Sequence, residues 1–93
     1  MYVASLRLEL RVGDCTTLRQ KRRRLRRIVD RLRRHFPVAV AEVGRIDRPS
    51  EAVLGFAAVG ATRREARDVL ILVAEALDAH PRAEVLAREF QEA

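Results

Sequence analysis

The chemistry available to this chain is concentrated in one run, Thr17 to Phe36, TLRQKRRRLRRIVDRLRRHF. Ten basic residues fall between Arg19 and Arg34: Arg19, Lys21, Arg22, Arg23, Arg24, Arg26, Arg27, Arg31, Arg33 and Arg34. Asp30 is the single acid among them, so the segment carries +9 against a net charge of +6 and leaves −3 for everything else. Guanidinium groups bind phosphate and carboxylate through paired N–H donors, so the chemistry on offer is recognition of a polyanion.

A charge run is ordinarily a solvated face, and arginine is a good helix former. Three features favour an anionic partner here. Arg19, Lys21, Arg22, Arg23 and Arg24 crowd the first two turns, where the helix dipole is already positive; in the first turn each mismatch costs around 0.3–1 kcal/mol. Like charges recur four residues apart, as in Arg19–Arg23, Arg22–Arg26, Arg23–Arg27 and Arg27–Arg31, at about 0.2–0.5 kcal/mol each. The second predicted helix is an internal control, because its Arg63, Arg64 and Arg67 are balanced by Glu65, Asp68, Glu75 and Asp78. A compositional preference for arginine would load both helices alike.

Catalytic chemistry has little to work with. His35 and His80 are isolated beside helix ends and read as packing or capping residues. Cys15 has no base near it in sequence and reads as a small packing residue before the helix. Metal-ligand spacing, a P-loop and a dinucleotide fingerprint are all missing. No catalytic residue, metal, cofactor or small-molecule substrate is therefore expected.

The elements that must position the basic run follow from periodicity. Residues 2–12 alternate, with Tyr2, Ala4, Leu6, Leu8, Leu10 and Val12 on one face and Val3, Ser5, Arg7, Glu9 and Arg11 on the other, which predicts a strand. Gly13-Asp14 ends it. Thr17 with Gln20 has the form of a capping box, and Leu18, Leu25, Ile28, Val29, Leu32 and Phe36 make the seam of an amphipathic helix stopped near Pro37. Val38 to Ile46 and Val53 to Gly60 read as a hairpin around Asp47-Arg48-Pro49-Ser50. Thr62 with Glu65 caps a second helix, whose seam is Ala66, Val69, Leu70, Val73, Ala76 and Leu77 and which ends before His80-Pro81. Residues 83–90 are assigned to a last strand.

The order β-α-β-β-α-β, with both helices on one side of a four-stranded sheet, gives a ferredoxin-like α+β sandwich. It is expected to have the first and third strands central and parallel. Ninety-three residues suit one domain, residues 1–93. At 48% hydrophobic and 34% charged residues, with no long apolar run, the chain reads as globular, without a membrane span. The charged N-terminal strand lacks the apolar core of an export signal, and a single cysteine fits a reducing cytoplasm.

The pattern also resembles a known family. Thr17-Leu18-Arg19-Gln20-Lys21-Arg22, then Ala41-Glu42-Val43-Gly44, Asp47 and Leu54-Gly55-Phe56-Ala57, and the close His80-Pro81-x-Ala83-Glu84 are similar to the YlxP-like bacterial family of unknown function. Gln20 stands where that family usually has Glu, and Arg48-Pro49 where an aromatic often follows the Asp. The resemblance implies a ferredoxin-like fold and a gene setting shared with translation and ribosome-maturation factors. It carries no activity and no catalytic residues.

Together these readings predict a cytoplasmic protein that binds RNA or a ribosomal particle. A helical wheel places Arg19, Arg23, Arg26, Arg27 and Arg34 away from the seam, as candidate phosphate contacts. Lys21 and Arg22 flank the seam near the end of the second strand and are assigned to a structural ion pair with Glu42, with Asp47 also within range. The few aromatics, Tyr2, Phe36, Phe56 and Phe90, fall mostly in core registers, so bases are not expected to stack on the sheet. Binding should be backbone-led and salt-sensitive. The alternative is a protein-interaction module or homodimer, joined through an open sheet face carrying Val3, Ala39, Ala41 and Val43.

Overall fold

The computed structural model describes residues 1–92. Six elements follow one another: β1 (Tyr2–Val12), α1 (Leu18–His35), β2 (Ala39–Gly44), β3 (Glu51–Gly60), α2 (Arg63–Asp78) and β4 (Ala83–Glu92). The strands form one sheet in the order β2-β3-β1-β4, and every neighbouring pair is antiparallel. This is the ferredoxin-like α+β arrangement. The central pair, β1 and β3, is antiparallel, not parallel as expected. Each helix crossover returns its strand parallel to the strand before it but one place away. The strand filling that gap, delivered by the β2–β3 hairpin, must run the other way.

Alternation along β1 decides which side is core. Ala4, Leu6, Leu8, Leu10 and Val12 are buried beneath the helices, facing Leu54, Phe56 and Ala58 of β3. The helices close this face with Leu25, Ile28 and Leu32 from α1 and Ala66, Leu70, Val73, Ala74 and Leu77 from α2. A fully buried leucine or isoleucine contributes roughly 1.5–3 kcal/mol by leaving water, so this layer holds the helices in place. Tight entry into α2 requires a glycine at position 60. A Cβ there would stand 2.7 Å from the Ala66 amide nitrogen and 2.9 Å from the Thr62 carbonyl.

Two irregularities in β2 and its turn shape the site. The β2–β3 register shifts between Glu42 and Gly44. Glu42 pairs with Leu54, a core position, and so projects towards the helices, while Val43 lies over Gly55 on the opposite face. Beyond Gly44 the chain bends through Arg45, in the left-handed region at φ 53°, and Arg48 donates its N–H to the Arg45 carbonyl at 3.0 Å. This turn brings several carbonyls under the start of α1.

Candidate nucleic-acid interface

The start of α1 is fixed by a complete capping box. The Thr17 hydroxyl accepts the Gln20 N–H at 3.2 Å, and Gln20 Oε1 accepts the Thr17 N–H at 3.2 Å and the Thr16 N–H at 2.8 Å. No acid occupies the first turn to offset the helix dipole.

Lys21 is fully buried at 0% exposure, in contrast to the coat around it. Its Nζ donates to the carbonyls of Arg45 at 2.9 Å, Ile46 at 3.1 Å and Glu51 at 3.1 Å. The Glu42 carboxylate lies 2.9 Å away. With the three ammonium hydrogens directed at carbonyls, Glu42 Oε2 meets the cation by charge and has no aligned hydrogen bond of its own. A buried ammonium is tolerated only with such pairing. Lys21 is the single lysine among 19 basic residues. The cage suits a compact three-donor ammonium and not a planar five-donor guanidinium. Arg22 does not join the cluster. It is exposed and has no ion pair or side-chain hydrogen bond among the described residues, because Glu42 and the three carbonyls are already gathered around Nζ and leave no acid for a second cation. Asp47 is also exposed and stays outside the cage.

The remaining cations of α1 divide by function in the fold. Arg24 donates to the Gly13 carbonyl and Arg33 to the Val40 carbonyl, the latter at 2.8 Å, so Arg24 ties the helix to the turn after β1 and Arg33 ties it to β2. Arg19, Arg23, Arg26, Arg27 and Arg34 are exposed and, with Arg22, make no ion pair or side-chain hydrogen bond among the described residues. The exposed Asp30 on the same helix pairs with none of them.

The arginines outside α1 behave differently. Arg7 and Arg45 share Glu9 at 3.4 and 2.8 Å, Arg48 meets Glu51 at 3.3 Å, and Arg11 meets Glu84 at 3.0 Å. Arg64 meets Asp68 at 3.7 Å, Arg82 meets Asp14 at 3.7 Å, and Arg88 meets Asp78 at 2.7 Å. The guanidinium groups of Arg63 and Arg67 lie 5.4 Å from the ring centres of Tyr2 and Phe90. Every arginine outside α1 therefore meets a carboxylate or an aromatic ring.

Tyr2, Phe56 and Phe90 all share the helix-covered face by register, and Phe36 packs against the core. Among the described residues no aromatic ring lies on the helix-free face, so the sheet offers no stacking platform. His80 borders α1 from the turn after α2. Partial burial lowers its pKa, helped by the charges of Arg31, Arg24 and Arg82. The same trend follows from its hydrogen bond, because Nδ1 accepts the Arg82 N–H at 3.0 Å and must be unprotonated to do so. Among the described residues no group of three histidine, cysteine, aspartate or glutamate side chains could hold a metal, and no helix is long and apolar enough to cross a membrane. Cys15 is free and buried.

A family model described as a protein of unknown function, DUF503, matches residues 3–90. The chain belongs to the DUF503 family. No curated protein shows significant similarity to it. The matched span takes in the whole of α1, the Lys21 cage and nearly all of β4.

Nothing in the sequence marks Arg24 and Arg33 as tethers of α1 to its scaffold. Their acceptors are main-chain carbonyls of Gly13 and Val40, set by how α1 lies on the sheet and not by any side chain.

Proposed function

We propose that this protein binds structured RNA, free or in a ribosomal particle, through the exposed face of α1, without catalysis. The observation that carries the reading is the division of the arginines. Arg19, Arg23, Arg26, Arg27 and Arg34 lack partners among the described residues, whereas those outside α1 are answered by carboxylates or rings. A face of like charge that the fold leaves uncompensated is suited to an external polyanion. Phosphates would be read by charge and position, so selectivity would follow RNA shape more than sequence. The YlxP-like resemblance, with its translation-linked gene setting, supports RNA over DNA and a cytoplasmic site of action. Binding to structured ribosomal RNA across a salt series, with and without charge at Arg23, Arg26 and Arg27, tests the reading.

A second reading has its own observation. On the helix-free face Val43 and Val59 are 55% and 61% exposed, beside the small residues Ala39, Ala41, Gly55 and Ala57. A homodimer joined through this half of the sheet would cover them and leave α1 free. Light scattering at two concentrations tests it: a mass that stays monomeric throughout removes it.

A further inference from the structure

A groove of about 320 Å³ runs between the C-terminal halves of the two helices. Ile28, Leu32, Phe36 and Leu77 give it an apolar lining, with Arg31 and His35 contributed from the α1 side and His80 from the α2 side. We propose that this groove receives one unpaired nucleobase of a bound RNA, beside the phosphate-binding face of α1. The inference rests on the RNA reading of α1 and adds a site to it.

The two histidines decide the chemistry, because backbone partners fix their protons in opposite senses. His80 Nδ1 accepts the Arg82 N–H at 3.0 Å, so the proton of the neutral ring is on Nε2, a donor. His35 Nδ1 lies 2.8 Å from the Arg31 carbonyl, to which it can only donate. In the neutral ring His35 Nε2 is then an acceptor. The groove is therefore lined by one donor and one acceptor, from its two sides, and a nucleobase carries both kinds of group on its edges. Phe36, both imidazoles and the Arg31 guanidinium are planar groups of the kind on which splayed-out bases stack.

Charge sorts the rest of the nucleotide. The C-caps of both helices, Phe36 and Ala79, border the groove, and their carbonyl ends disfavour burying an anion there. A neutral base meets no such penalty. Arg31, which lines the groove, places a cation at its margin for the phosphate. The volume is at the lower end of small-molecule sites, roughly 300–1,000 Å³, and suits a base better than a larger ligand.

The test uses free adenosine 5′-monophosphate and ribose 5-phosphate, with the ring resonances of His35, His80 and Phe36 followed by NMR. The expected result is saturable shifts with the nucleotide at millimolar concentration that ribose 5-phosphate does not produce. Ala76→Leu, which narrows the groove, should reduce them, while Arg23→Gln/Arg26→Gln/Arg27→Gln, away from it, should keep them. No shift with the nucleotide, or equal shifts with both probes, overturns the proposal even if structured RNA binds to α1. Groove shifts in a protein that fails to bind structured RNA would retain the groove as a nucleotide site and remove the RNA reading instead. The wild-type comparison of the two probes decides the matter without any variant.

Discussion

Lys21 Nζ and the Glu42 carboxylate meet at 2.9 Å beneath the first turns of α1, with three main-chain carbonyls completing the cage. The contact joins the basic helix to the end of β2 and to the turn into β3. It also explains how a helix start so rich in like charge stays seated, since the one cation taken into the interior is fully compensated there.

Substitution at Lys21 should be among the most destabilising changes in the chain. Lys21→Met removes the ammonium, leaves three carbonyls without their donor and strands Glu42, at a cost of about 3–5 kcal/mol. Lys21→Arg keeps the charge and should still cost about 1–3 kcal/mol, because the larger planar group overfills the cage. Glu42→Gln should cost less than Lys21→Met, since the carbonyls keep their donor. Urea unfolding of the three variants checks the order, and a neutral Lys21→Arg would contradict the cage as described.

The unbalanced helix start should respond to an acid at the capping position. Gln20→Glu retains the reciprocal capping bonds and supplies the negative charge that the first turn lacks. The expected gain is about 0.3–1 kcal/mol at low salt, fading as salt is added. Thr17→Ala should act in the opposite direction by about 1 kcal/mol. Thermal melts at two ionic strengths separate the charge effect from the capping effect.

His80 should make stability depend on pH in one direction. Its folded pKa lies below the ordinary histidine value, so the unfolded chain takes up the proton first. The contribution is fully present above the ordinary value and is lost as pH falls through the depressed folded value. His80→Gln, which cannot titrate, should flatten the melting temperature between mildly acidic and neutral pH relative to wild type. An unchanged slope would place the titration elsewhere.

Much of this architecture is legible in the residues alone. The period-two pattern of β1 and the seams of both helices locate the core, and Thr17 with Gln20 locates the start of α1. The pairing of Lys21 with Glu42 follows from α1 running back along β2. The direction of β3 relative to β1 is legible as well, because a crossover followed by a hairpin must reverse the chain; the expectation of a parallel central pair leaves that reversal out. What is hidden is the isolation of Arg22 and the main-chain contacts of Arg24 and Arg33. Their surroundings are made of main-chain carbonyls, which every sequence possesses and only the folded path brings together. The groove beside His35 and His80 depends on how two helices distant in sequence overlap.

The central claim is that the unpartnered arginines of α1, and not positive charge in general, bind RNA. Two variants with the same reduction in charge separate these ideas: Arg23→Gln/Arg26→Gln/Arg27→Gln on α1, and Arg11→Gln/Arg48→Gln/Arg64→Gln at exposed arginines already paired with acids. Affinity for structured ribosomal RNA is measured across a salt series. The α1 variant should bind far more weakly, with its log–log salt slope shallower by about two to three, at roughly 0.7–0.9 for each phosphate that is no longer neutralised. The paired-site variant should bind nearly as wild type. Equal weakening in both variants, or unchanged affinity in the first, would contradict the account.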